Sequence, residues 1–311
     1  MLRPIILAAL CGLSFVLPSA AQVRTADPAK RGVPLSAFPR MVPLAENIYG
    51  YEEIRQPGFT TVSLVVVGAN GVLIADGQGS PKATQTMLDE IRKVTPRPVK
   101  WYIVGSDHGD HTAGNSVLPA DITYVIHPNA LNQMRRDAAN PNRQPGAPPV
   151  IVPPSAMSGD TATIDVGGIE VRALFLGRAH TGGDLMVHLP AQKILFMSEA
   201  YLNRVFPAMR SAYPTEWIGV IDKALAMDIT RYVPGHGFIE EPAVSREELV
   251  AFREALRAVI AEVTRLHRAG LSADEAIRQA NWGPYADWFL GEQQAPIAVR
   301  KVYEELDGKL K

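Results

Sequence analysis

Apolar positions along the chain recur with two different periods. Ser63 to Val67 and Val72 to Asp76 are β-branched runs separated by Gly68-Ala69-Asn70-Gly71, whose Asn-Gly pair favours a tight reversal, so an antiparallel hairpin is expected. Ser80-Pro81 supplies an N-cap and a first-turn proline, and Met87, Leu88, Ile91 and Val94 then step at helical spacing. Val99 to Val104 reads as another strand, ending at Gly105 and releasing the chain into the polar segment Ser106 to Asn115. From Ala138 to Pro154 the apolar period is lost among Pro, Asn and Gly, which predicts an exposed excursion. Strands return at Thr161 to Ile164, Ile169 to Leu176, Leu185 to Leu189 and Ile194 to Met197. Ser245 with Glu248 reads as a capping box for a long helix whose face carries Leu249, Phe252, Leu256, Val259, Val263 and Leu266. Gly270 ends that helix, and Ser272 with Glu275 opens the next.

The two ends change this picture. Residues 1–21 read as an export signal: Arg3, an apolar stretch from Ile5 to Leu17, and the small residues Ser19-Ala20-Ala21, with cleavage expected after Ala21. A periplasmic or secreted protein with no stable membrane insertion is the expectation. Residues 22–45 lack periodicity and read as a leader, 46–242 as the main domain and 243–311 as a helical extension. The one cysteine, Cys11, lies within the signal, so any metal in the mature chain must sit on imidazoles and carboxylates. With 311 residues, 47% hydrophobic and 20% charged, the chain can bury a sizeable core. Its 31 basic and 32 acidic residues nearly cancel, so no global field draws nucleic acid, and a small molecule is the expected partner. Oligomeric state is left open.

Candidate chemistry is concentrated in four places, each just after an expected strand. Ser106-Asp107-His108-Gly109-Asp110-His111 packs two imidazoles and two carboxylates into one loop. His180 stands in Gly177-Arg178-Ala179-His180-Thr181-Gly182-Gly183-Asp184, Glu199 in Met197-Ser198-Glu199, and His236 in Pro234-Gly235-His236-Gly237. His127, where Pro128 turns the chain, His188 and His267 read as structural. Asn203 and Arg204, following Glu199, are candidates to meet a substrate carboxylate, since arginine offers a two-donor fork.

The order and flanks of these motifs resemble the metallo-β-lactamase fold superfamily, whose first motif is His-x-His-x-Asp-His, followed by separate His, Asp and His ligands. The resemblance covers roughly Asn47 to Ile239, and Asp76 closes an apolar strand as in that family. It implies an α/β fold, a four-layer αββα sandwich with metals at one edge, and a helical extension alongside. It implies metal ligands His108 and His180 in one site and Asp110, His111 and His236 in another, with Glu199 where a bridging Asp usually sits. Asp76 would brace a ligand from behind. Ser106 replaces the first histidine, and a neutral hydroxyl is a poor zinc ligand; hydrogen bonding within the loop is the better reading of it. Glu199 either bridges or completes a two-histidine, one-carboxylate set with His108 and His180. The implied activity is a hydrolase, with one or two zinc ions (iron being the other option), using metal-bound hydroxide on a β-lactam, lactone or thioester, with Asp110 as the catalytic carboxylate. Two rivals stand beside it: a non-haem iron oxygenase of the same fold, and a binding protein that has lost activity.

Overall fold

The computed structural model describes residues 23–310, so the export signal read over residues 1–21 lies outside the described residues. A short helix α1 (Pro28–Arg31) precedes the strands β1 (Arg40–Ala45), β2 (Ile48–Arg55), β3 (Phe59–Gly68) and β4 (Gly71–Ala75), each antiparallel to the one before. After helix α2 (Pro81–Val94), strand β5 (Val99–Ile103), the short helix α3 (Gly109–Thr112) and strand β6 (Thr123–Val125) follow, the two strands adding in parallel to make a six-stranded sheet. Helix α4 (Pro128–Ala139) leads to the second sheet: β7 (Thr161–Asp165), β8 (Glu170–Leu174), β9 (Met186–Leu189) and β10 (Ile194–Phe196). The crossover helix α5 (Pro214–Ala226) then brings in β11 (Arg231–Val233) parallel to β10. Helices α6 (Pro242–Arg268), α7 (Ala273–Gln279) and α8 (Gly291–Leu306) complete the chain.

Alternation along the strands generates the layers. In β3, Val62, Leu64 and Val66 face the second sheet and meet Val171, Ala173, Val187 and Phe196, forming the core between the sheets. Val65 and Val67 point the other way, onto Met87, Leu88 and Ile91 of α2 and Leu131 and Met134 of α4. The outer face of the second sheet is covered by α5 and α6, where Trp217, Phe252, Leu256 and Val259 are buried, and by Val299 and Val302 of α8. This is the αββα sandwich with a helical extension. No helix among the described residues is long and apolar enough to cross a membrane.

Three expectations need correction. Residues 40–45, read as leader, form β1, which pairs with β2 from Arg40 opposite Glu52 onward; its burial is only partial, so it shows no clean alternation. The long helix starts at Pro242 with Glu241 as N-cap, and Ser245 and Glu248 are buried inside its first turns. Ser245 Oγ there accepts from the Tyr232 amide and Glu248 takes Arg24 and Arg204, so tertiary partners use both residues. Finally, α4 begins where only a turn is expected, with Pro128 at its first position and His127 Nδ1 accepting from the Asn129 amide. The Ser272–Glu275 capping box does form.

Candidate metal centre

Parallel neighbours end at the same edge of a sheet, and this brings the chemistry together. Asp76 follows β4, Ser106 to His111 follow β5, Glu199 follows β10 and His236 follows β11, while His180 comes from the β8–β9 connection. The loops touch through glycines. A Cβ on Gly105 would stand 2.7 Å from Ser198 Cβ and 2.9 Å from Asp76 Oδ1, and one on Gly235 would stand 2.4 Å from the Ser198 carbonyl carbon. Asp76 and Ser198 themselves sit in the left-handed region, at φ 60° and 47°, and are joined by a 2.5 Å hydrogen bond from Ser198 Oγ to Asp76 Oδ2.

Two groups of ligand-type atoms result, each gathered within 4.8 Å: Asp110, His111, Glu199 and His236, and His108, His180 and Glu199. In the first, His236 Nε2 lies 3.0 Å from Asp110 Oδ2, 3.2 Å from Glu199 Oε1 and 3.2 Å from His111 Nε2. In the second, His108 Nδ1 is 2.9 Å from Glu199 Oε2 and 3.0 Å from His180 Nε2, which is 3.2 Å from Glu199 Oε1. Glu199 belongs to both. Ser106 Oγ donates to Glu199 Oε2 at 2.6 Å and accepts from the His108 amide at 3.3 Å.

These donors fit a divalent ion. Two imidazole nitrogens facing each other can share only one proton, and the arrangement occurs twice, at 3.2 and 3.0 Å. His236 Nδ1 is 2.8 Å from the Thr60 carbonyl, which calls for a proton on Nδ1 and leaves Nε2 a lone pair aimed into the group. His111 Nδ1 lies 3.1 Å from Asp76 Oδ2, too bent for a formal hydrogen bond but oriented by the charge, so its Nε2 likewise points inward. A tetrahedral ion with bonds of about 2.0–2.1 Å spaces its ligand atoms by roughly 3.4 Å. Separations in the first group run from 3.0 to 3.9 Å and bracket that value, and those in the second, 2.9 to 3.2 Å, fall slightly below it.

Electrostatics agree with the geometry. Burial works against charge on the imidazoles, yet Glu199, with Asp107 and Asp110, holds His108 up at about 10, and Asp76 with Glu199 and Asp110 holds His111 up at about 9. His236 is raised against burial by Asp110 and Glu199. Burial raises Glu199 in turn, but His180, His108 and His111 outweigh it and keep the carboxyl well below the usual range. Asp110 is lowered despite burial and the charge of Glu199, through His236 and His111. Asp107, buried beside the cluster, is pushed up to about 7.

A cavity of about 190 Å³ opens onto His108, Asp110, His180, Glu199 and His236. Phe59, Leu202, Val205, Ala208 and Leu290 make its apolar wall, and Arg55, Arg210 and Gln294 its polar rim. Arg55 Nη1 reaches Asp110 Oδ2 at 2.5 Å, and His108 Nε2 is 3.1 Å from Ser211 Oγ. Sequence reasoning missed Arg55, Arg210, Ser211, Leu290 and Gln294, and no local pattern marks them. Leu290 and Gln294 come from the C-terminal extension, where Phe289 is bridged to Val205 and its ring lies 5.4 Å from Phe59.

Asn203 and Arg204 do not join the site. Asn203 Nδ2 donates to the Phe238 carbonyl and to Glu240, and Arg204, at φ 57°, forks onto Glu248. The left-handed backbone turns the Arg204 side chain toward α6 and away from the cavity.

The sequence profile of the metallo-beta-lactamase superfamily matches residues 55–236. The chain is 23% identical over 214 residues to the 2,4-dinitroanisole O-demethylase subunit alpha of Nocardioides sp. (strain JS1661), covering 68% of this chain and 62% of that protein. It is 24% identical over 218 residues to the metallo-beta-lactamase type 2 of Bacteroides fragilis, covering 67% and 83%. Among solved structures, the stereoselective inverting sec-alkylsulfatase Pisa1 from Pseudomonas sp. superposes with a TM-score of 0.65 at 15% identity, over 85% of this chain and 50% of that one. The chain therefore spans 62% of the length of the demethylase subunit and half that of the alkylsulfatase.

Proposed function

We propose that this chain, which belongs to the metallo-beta-lactamase superfamily, is a zinc-dependent hydrolase of small ester-like or amide-like substrates. The observation that carries this reading is the pair of ligand groups sharing Glu199, with the His236 and His111 lone pairs directed into the first. Asp110, His111, His236 and Glu199 would hold one ion, and His108, His180 and Glu199 the other. Zinc bound there would supply a Lewis acid and a water acidic enough to lose its proton near pH 7. The chain's own residues do the rest. Asp110, which lines the cavity, is the carboxylate assigned to orient a water, and Asp76 and the Thr60 carbonyl favour the right tautomer in two of the imidazoles. The apolar wall of Phe59, Leu202, Val205 and Leu290 keeps bulk water from the floor and fits an apolar substituent beside the scissile bond. Arg210, exposed at the rim, offers a cation to an acidic group of the substrate.

The relatives span a demethylase subunit, a β-lactamase and an alkylsulfatase, so the leaving group is open among oxygen, nitrogen and sulfur acyl or sulfuryl bonds. The test is metal analysis of the purified protein together with turnover of a β-lactam, a lactone, a thioester and a sulfate ester, with and without a chelator. Zinc with chelator-sensitive hydrolysis supports the reading. The set of two histidines and one carboxylate favours the oxygenase alternative to the extent that it suits iron, and iron with dioxygen uptake and no hydrolysis would establish that instead. We also propose that the protein works outside the cytoplasm. An N-terminus at Gln22 in protein recovered from the cell envelope or medium supports that, and Met1 retained in a cytosolic fraction refutes it.

A further inference from the structure

We infer that Ser106 and Glu199 are one exchanged unit, in which the serine vacates the place of an imidazole, the longer acid carries its carboxylate into the His108–His180 group, and the serine hydroxyl holds it there. The inference rests on the metal reading above.

A single carboxylate serves both groups, so its rotation decides which oxygen faces which imidazole. That terminal torsion is intrinsically soft. Ser106 supplies the lock: its Oγ donates to Glu199 Oε2 at 2.6 Å, so Oε2 is committed to His108 at 2.9 Å and Oε1 is left to His180 and His236, both at 3.2 Å. The hydroxyl is itself fixed, since it accepts from the His108 amide, and the Ser106 amide is anchored on Asp76 Oδ1 at 3.2 Å. Each position suits only the other. Shortening Glu199 to aspartate withdraws the carboxylate by about 1.5 Å, one carbon–carbon bond, enough to break contacts of this length. An imidazole at position 106 would run into Oε2, because the serine side chain is fully buried and its oxygen already touches it. Ser106 is thus a positioning residue for the metal group and need not itself be a ligand.

The test compares the full-length parent with Ser106→Ala, Ser106→Thr, Ser106→His, Glu199→Asp and the Ser106→His/Glu199→Asp double variant. Zinc uptake is read by elemental analysis and by competition with a chromogenic chelator, and folding by melting of the metal-free proteins. The parent fills both groups. Ser106→Ala melts as a folded protein and keeps one tight ion, while the affinity of the other falls about 10–100-fold, as when an orienting partner of a ligand is removed. Ser106→Thr retains the hydroxyl and the affinity. Ser106→His and Glu199→Asp each lose an ion, and together they regain it. A Ser106→Ala protein that titrates like the parent, or a double variant no better than Glu199→Asp alone, overturns the inference and leaves the metal reading intact. A parent that takes up no zinc overturns both.

Discussion

Asp76→Asn probes how the site is braced. Asp76 is fully buried and serves four groups: the Gly105 and Ser106 amides on Oδ1 at 2.7 and 3.2 Å, and on Oδ2 the Ser198 hydroxyl at 2.5 Å and His111 Nδ1 at 3.1 Å. Asparagine has the same outline and tolerates the left-handed φ of 60°, so the backbone is spared. Its carbonyl can still receive the two amides. Its NH2 then faces Ser198, which can rotate to accept, and His111 Nδ1, which cannot donate to it. The carboxylate charge beside Nδ1 is lost and His111 is free to adopt the tautomer with its proton on Nε2, where the lone pair is needed. We expect a loss of about 1–3 kcal/mol of folding stability, the scale for one buried hydrogen bond to a charged group. Zinc affinity should fall by about 10–100-fold, or roughly 1.4–2.7 kcal/mol. Asp76→Ala should cost about 4 kcal/mol or more, because it orphans several donors and places a Cβ residue without local compensation at positive φ. Urea unfolding of the metal-free proteins measures the first quantity, and chelator-competed zinc titration the second. If Asp76→Asn loses stability yet binds zinc within threefold of the parent, Asp76 is a loop pillar and does not brace His111.

Four further outcomes follow from the structure. His108 and His111, raised to about 10 and about 9, are protonated at pH 7 without metal, so zinc uptake should release protons and tighten as pH rises, seen by calorimetry in buffers of different ionisation enthalpy. For the metal-free protein the sign is opposite: the stabilisation from these raised groups is complete below the unfolded value near 6.5 and is lost as pH climbs through 9 to 10, so its melting temperature should fall over that window. Arg210→Gln should raise KM for an acidic substrate while leaving kcat and the KM of a neutral analogue nearly unchanged; equal effects on both would remove Arg210 from recognition. Phe252→Ala, which empties a fully buried ring site between Tyr201 and Trp217, should cost about 3–5 kcal/mol in denaturant unfolding with the zinc stoichiometry unchanged.

What could be read from the chain alone was what local chemistry specifies. The Asn-Gly reversal, the Ser80-Pro81 helix start and the β-branched run of β3 depend on neighbours within a few residues, and they give the expected elements. The ordered motifs at strand ends marked the histidines and acids that come together, because parallel strands deliver their ends to one edge whatever the details between them. Tertiary structure decided where those side chains point. Ser198 and Arg204 adopt left-handed backbone that no local propensity of serine or arginine favours; it is imposed by the packing of Gly105, Gly235 and Asp76 around Ser198 and by the buried Glu248 waiting for Arg204. For the same reason Arg204 left the site, Glu199 came to serve two groups, and Leu290 and Gln294 joined the cavity wall from a distant part of the chain. Proximity across long loops is fixed by burial of the surrounding faces, and that information is spread over the whole core.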